Sequence, residues 1–315
     1  MAVWLAVLGL ILGLIILFIS SEIAVDNLIK IATLFGASMF TVGFIFSSIG
    51  SDLPEIFNSI FSSYLGHGDI SVGDSFGSVN TQITLVLGLI PFFCRFCRLI
   101  PQRFAVVGIS EVVILIISVF LAVDGNVTRL DGLSLIILWG LSIFIIRRFG
   151  EEKIAVEDSD EILRPKQDMK RIILLIVLGF VGISVGSFLV VDSVIEISTA
   201  LGVSEYLISF FFLALGTSMP ELIVSISAIR RRHFELAIGD IIGSCIVDAT
   251  LAVGLGPLFF PISINGSAIF LTGIYAIMSS LVVVAVLSYR GVHDKKTGAL
   301  FLLIYLGTWL VPLFL

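Results

Sequence analysis

The chain has 315 residues, of which 58% are hydrophobic and 13% charged, with a formal net charge of −6. A soluble domain carries about 25% charged residues, and a chain of this length cannot build a core large enough to hide so many apolar side chains from water. The composition excludes a water-soluble globule and points to a multi-pass membrane protein whose apolar solvent is the bilayer.

A helix needs about 20 apolar residues to cross that bilayer. Ten candidate spans follow in order, at 2–34, 38–65, 69–94, 103–122, 130–147, 170–200, 203–231, 235–259, 267–288 and 297–314. The first lacks a basic leader and a small-residue cleavage site, so it reads as a span and not as a signal peptide. The polar segment 148–169 separates the two groups of five spans and reads as a solvated cytoplasmic linker. Cys94 and Cys97 form a CxxC without the second pair that a four-cysteine zinc site needs, and read as reduced thiols at a cytoplasmic helix end. Cys245 lies in an apolar run and reads as a packing residue. With the N-terminus outside, 16 of the 18 basic residues fall in inside loops, which places both termini outside the cell membrane. The basic residues form short loop clusters and no extended face, so no nucleic-acid partner is expected. No phosphate-cradling loop is present, so ATP is not expected as the energy source.

The chain repeats itself. An offset of 166 residues aligns the halves without a gap from Asp26 to Phe93. Gly50, Pro54 and Glu55 meet Gly216, Pro220 and Glu221, while Gly73, Asp74, Gly77 and Ser78 meet Gly239, Asp240, Gly243 and Ser244. Residues 1–147 and 170–315 are therefore read as two five-helix copies, with core segments 43–93 and 209–259. Five is odd, so the second copy enters the membrane from the opposite side. The expected fold is all-α and integral to the membrane, with ten transmembrane helices in a 5+5 inverted-topology repeat. Such repeats carry broken helices and a binding site near the midplane.

Two motif pairs carry the chemistry. G-S-D-L-P-E at 50–55 and G-T-S-M-P-E at 216–221 each lie inside an apolar span. Proline removes a backbone donor and interrupts the helix, which is expected to free carbonyls near Ser48 and Ala214. Glu55 and Glu221 follow, with hydroxyls at Ser51, Thr217 and Ser218. Carboxylate, hydroxyl and carbonyl oxygens suit a hard cation such as calcium or sodium. The second pair, G-D-S-F-G-S at 73–78 and G-D-I-I-G-S at 239–244, offers small faces for close helix packing. One turn beyond Ser78 and Ser244, Gln82 and Asp248 face the same centre.

These residues resemble the two alpha repeats of the calcium/cation antiporter superfamily, especially its prokaryotic sodium/calcium exchangers, over nearly the whole chain. The resemblance implies a secondary active antiporter, not an enzyme, that exchanges calcium for sodium by alternating access. It implies calcium ligands at Glu55, Glu221, Ser51 and Thr217. It implies sodium sites formed by Ser48, Ser51, Asp52, Glu55, Ser78, Ala214, Thr217, Ser218, Glu221 and Ser244. Gln82 and Asp248 would be its central polar pair. The long first and sixth spans would move against the other eight. Inorganic cations and the lipid bilayer are the partners implied, with no cofactor.

The sequence departs from the pattern by adding acids. Asp52 stands where a small hydroxyl residue is expected, Asp74 and Asp240 stand where asparagine is usual, and Gln82 replaces a shorter residue. Clustered carboxyls raise one another's proton affinity, so Asp52, Asp74, Asp240 and Asp248 are the groups available for a proton-linked role. A calcium/proton, or other cation/proton, antiporter is therefore the alternative reading, and potassium co-transport stays open beside it, although Asp52 could equally serve as an added cation ligand. A divalent-cation channel and an intramembrane aspartyl protease fit less well, because neither explains two inverted motif copies in one chain. Glu111 has no acidic mate and reads as a packing residue. Asp26 and Asp192 read as an ion access path or as groups reaching the interface. His67, His233 and His293 fall in expected loops without metal-ligand spacing.

Overall fold

The computed structural model describes residues 3–34, 48–94, 97–98, 101–150, 169–230 and 234–314. The first half contains α1 (Val3–Leu34), α2 (Ser48–Ser51), α3 (Leu53–Leu65), α4 (Gly68–Asn80), α5 (Leu87–Phe93), α6 (Pro101–Ala122) and α7 (Arg129–Gly150). The second contains α8 (Met169–Leu201), α9 (Glu205–Ile208), α10 (Ala214–Thr217), α11 (Met219–Arg230), α12 (Phe234–Val247), α13 (Val253–Phe259), α14 (Gly266–Arg290) and α15 (Lys295–Thr308). Helix is the form that lets each segment satisfy its own backbone in lipid. Among the described residues, eight helices are long and apolar enough to cross a membrane. Of the other two expected spans, 38–65 begins outside the described residues and continues as the broken α2–α3. The expected span 130–147 coincides with α7, which has 22 residues but is not one of the eight. The expected linker 148–169 lies almost wholly outside the described residues.

The helices through Gly68–Phe93 and Ala237–Phe259 form the centre, buried over 78% and 89% of their most apolar stretch. The long α1 and α8 lie outermost, buried over only 22% and 28%. They pack antiparallel: Gly9 meets Ser193, Gly13 meets Val190 and Gly186, and Ala24 meets Gly179. A methyl group on Gly186 would lie 3.0 Å from the Gly13 carbonyl oxygen, so the two backbones approach as closely as small residues permit.

Contacts recur at the repeat offset. A methyl on Gly298 would lie 2.6 Å from Gly88 O, and one on Gly254 would lie 2.9 Å from Gly132 O. Gly88 and Gly254 are 166 apart, as are Gly132 and Gly298, so one contact is made twice.

Two short antiparallel ribbons tie the halves together at their loops. β1 (Cys97–Arg98) pairs with β4 (Val292–His293), and β2 (Asn126–Val127) pairs with β3 (Ile262–Ser263). At the first ribbon, α5 ends in extended backbone at Cys94 (φ −126°, ψ 157°), and Cys94 is disulfide-bonded. This corrects the expectation of reduced thiols there. His293 is fully buried, with Nε2 2.8 Å from Leu87 O and Nδ1 2.7 Å from Thr297 Oγ1. Burial pushes the His293 imidazole down to about 4. Asp294 caps α15 by accepting from the Lys296 and Thr297 backbone amides. These bonds hold its carboxyl below the usual carboxylate range, helped by the Arg290 guanidinium 2.7 Å away.

Candidate cation site

Both proline motifs break their helices as expected, and at equivalent residues. Asp52 (φ −87°, ψ 8°) and Ser218 (φ −79°, ψ 5°) leave the helical region, and a new helix starts at the next residue with Pro54 or Pro220 in its first turn. Proline is pre-organised for that position because its missing N–H would have no partner there. Glu55 and Glu221 therefore sit in first turns, where the helix dipole favours negative charge. One expectation is corrected: the Ala214 carbonyl is not freed of its helical bond, since it accepts the Ser218 N–H at 3.1 Å, and only its second lone pair remains for another partner. The donor that Pro220 lacks is the one that would serve Gly216, four residues earlier. The side chain of Ser48 lies outside the described residues.

Gln82 and Asp248 occupy π-helical segments, Thr81–Val86 and Asp248–Ala252, inside the two central helices. Such segments widen the helix by one residue and are frequent at functional sites. Gln82 Nε2 donates to Asp248 Oδ2 at 2.9 Å. These two residues are mates across the repeat, so they meet where the two copies face each other.

Around this contact the expected residues converge. Carboxylate oxygens of Asp52, Glu55 and Asp248 all lie within 4.8 Å of one another, in groups 0–1% exposed. Asp52 and Glu221 are buried close enough for their carboxyls to act on each other, and none of their four oxygens is paired with a hydrogen-bond donor among the described residues. Ser78 Oγ lies 3.5 Å from Glu55 Oε1 and 3.4 Å from Thr217 Oγ1. Ser51 Oγ lies 3.5 Å from Ser244 Oγ. Ser218 is buried with its hydroxyl unpartnered, and Asp240 is buried close enough to act electrostatically on Asp52 and Glu221. Ionised carboxylates only accept, so an enclosed cluster of four needs protons or bound cations for balance.

Other acids stand apart. Glu111 is buried and accepts Ser280 Oγ at 3.0 Å, while Asp26 and Asp192 are exposed on α1 and α8. His67 Nδ1 lies 2.9 Å from Glu205, and His233 is outside the described residues. Cys245 is more than a packing residue: its thiol faces Gln82 Oε1 at 3.4 Å and Val79 O at 3.8 Å.

Sequence reasoning missed two groups, Asn58 and Ser187, which join two expected ones. Asn58 Nδ2 donates to Asp74 Oδ2 at 2.9 Å, Ser187 Oγ donates to Asn58 Oδ1 at 2.6 Å, and Thr217 Oγ1 lies 3.1 Å from Asp74 Oδ1. Asn58 and Ser187 are polar in otherwise apolar spans, and that was the available signal. An apolar cavity of about 500 Å³ between α1 and the α10–α11 break reaches Thr217 and Pro54 from the membrane side.

Comparison with known proteins agrees with this geometry. The family model described as sodium/calcium exchanger protein matches residues 5–147 and 171–314. An uncharacterized membrane protein of Methanocaldococcus jannaschii is 30% identical over 299 residues, covering 94% of each chain. Sodium/calcium exchanger MaX1 of Methanosarcina acetivorans is 24% identical over 341 residues, covering 97% of each. A solved structure of the sodium-calcium exchanger NCX_Mj, soaked with sodium and strontium, superposes with a TM-score of 0.65 at 29% identity over 98% of each chain.

Proposed function

Because the chain belongs to the sodium/calcium exchanger family of membrane antiporters, we propose that it exchanges calcium for sodium by alternating access. The observation that carries this reading is the enclosed meeting of Asp52, Glu55 and Asp248 oxygens within 4.8 Å, beside the helix break that holds Glu221. Glu55, Glu221, Ser51 and Thr217 would hold calcium. Sodium would take sites among Asp52, Ser78, Ser218, Ser244 and the same glutamates, with backbone oxygens near Ser48 and Ala214. The architecture in this reading is ten spans in two inverted copies of five. The twice-made glycine contact, the antiparallel α1–α8 pair and the Gln82–Asp248 contact between mates support it. The family is one of transporters, so no step of covalent catalysis is involved.

One observation favours a second reading. Two carboxyls in mutual reach, as at Asp52 and Glu221, are well placed to share a proton, which suits calcium/proton exchange. Calcium-45 uptake into proteoliposomes decides between them. Uptake driven by internal sodium, and not by a pH gradient alone, is the expected result. Uptake driven only by the pH gradient would replace sodium with the proton as counter-ion.

A further inference from the structure

A hydroxyl can ligate a cation only if its own proton points away from the ion, so each hydroxyl ligand needs an acceptor behind it. Thr217 has one. Its Oγ1 lies 3.1 Å from Asp74 Oδ1, against 3.2 Å from Leu213 O and 3.4 Å from Ala214 O. A charged acceptor forms a bond about twice as strong as a neutral one, so Asp74 outcompetes the two carbonyls for the proton. The other carboxyl near this hydroxyl is Glu55, which in the proposed site is turned to the cation. The Thr217 lone pairs are then left to the side where Ser78 and Glu55 stand.

Asp74 is itself held in place. Its second oxygen accepts from Asn58 Nδ2 at 2.9 Å, and the Asn58 oxygen accepts from Ser187 Oγ at 2.6 Å. The donors run in one direction throughout: Ser187 to Asn58, Asn58 to Asp74. Ser187, Asn58, Asp74 and Thr217 lie on α8, α3, α4 and α10, and all are at most 2% exposed. Asp74 receives a donor on each oxygen, which a carboxylate satisfies without rearrangement. An asparagine in its place would have to turn its amide toward Asn58 and flip that side chain in response.

We propose that Asp74 is a positioning residue, which orients the Thr217 hydroxyl as a cation ligand and is itself anchored through Asn58 to Ser187 on the outer helix α8. The proposal rests on the reading of Thr217 as a ligand given above. It assigns Asp74 a hydrogen-bonding duty in place of a proton-carrying one. It also gives α8 a polar connection to the binding site, so that displacement of α8 changes the geometry of one ligand.

The test is calcium-45 exchange in proteoliposomes, with KM and maximal rate resolved separately. Each variant is first checked for a single symmetric peak in size-exclusion chromatography. Asp74→Ala should raise the calcium KM about tenfold, the lower end for loss of a group that orients a ligand, with a smaller change in maximal rate. Asp74→Asn should cost less than Asp74→Ala, since the relay can reverse. Asn58→Asp should be damaging alone, because it sets two carboxyls together. The reciprocal swap, Asn58→Asp with Asp74→Asn, should recover most of that loss. In a Thr217→Val background, Asp74→Ala should add little further. An equal KM effect of Asp74→Ala with and without Thr217, or no recovery in the swap, would overturn the proposal. If Glu55→Gln abolishes exchange while Asp74→Ala leaves KM unchanged, positioning by Asp74 fails and the site reading stands. If Glu55→Gln and Thr217→Val both leave exchange intact, the site reading itself fails.

Discussion

Glu55 and Glu221 sit in the first turns of the helices that follow the two breaks, and in the proposed site neutralising either one removes a ligand charge. A hydrogen bond or ligand bond to a charged group contributes about 1.5–3 kcal/mol, or about 10–150-fold in affinity. Glu55→Gln and Glu221→Gln should each lower calcium exchange by at least about tenfold in vesicle flux assays, with protein yield unchanged. His293 gives a prediction for stability. It titrates at about 4 in the fold, against 6.5 when unconstrained. Above pH 6.5 both states are neutral. Between 6.5 and 4 only the unfolded chain takes up the proton, so stability falls as the pH falls and the loss is complete below about 4. The difference corresponds to about 3 kcal/mol. Melting in detergent should therefore show a lower Tm at pH 4.5 than at 7, and His293→Asn should flatten that dependence. Sequence alone placed this histidine in a loop; what it could not place was Leu87 O, 206 positions away, which makes the burial affordable.

At the scale of elements, the proline breaks were legible because Pro has one physical effect wherever it stands. The motifs put the ends of α2 and α10 within a residue or two of Asp52 and Ser218. The π segments were not legible, since no residue type demands one and they arise where packing inserts an extra residue into a turn. Gln82 and Asp248 lie in two of them and meet there, where periodicity alone said only that both face inward. The relay from Ser187 was hidden for a similar reason, because its members lie on four elements and only the assembled bundle joins them. The glycine seam of α1 and α8 yields a test of element packing. Gly186→Val would push a side chain into Gly13 O and Leu17, at a cost of about 1–3 kcal/mol. It should lower the Tm and slow exchange, whereas Gly140→Val, at a position with nothing within 4 Å, should do neither.

For the whole molecule, the ungapped 166-residue match was the strongest signal in the sequence, and its physical counterpart is contact between mates. Orientation in the bilayer follows from a different quantity, the placement of basic residues in loops. An epitope tag on either terminus should accordingly be reached by antibody on intact cells without permeabilisation, and a tag in the 148–169 segment should not. The correction at Cys94 belongs to this scale too. Composition gave its neighbours, but a disulfide depends on side-chain geometry and on the redox state of the compartment, which no residue pattern states.

The two copies differ at the helix break, where the first places Asp52 and the second Ser218. At the central pair the difference reverses, with Gln82 in the first copy and Asp248 in the second, so the half-sites carry as many acids as each other but at different positions. In the proposed carrier, a cation arriving from one face meets them in a different order from one arriving from the other. Reversing every gradient should leave the stopping point of exchange where thermodynamics puts it, while the maximal velocities in the two directions differ, so the carrier behaves as a kinetic rectifier.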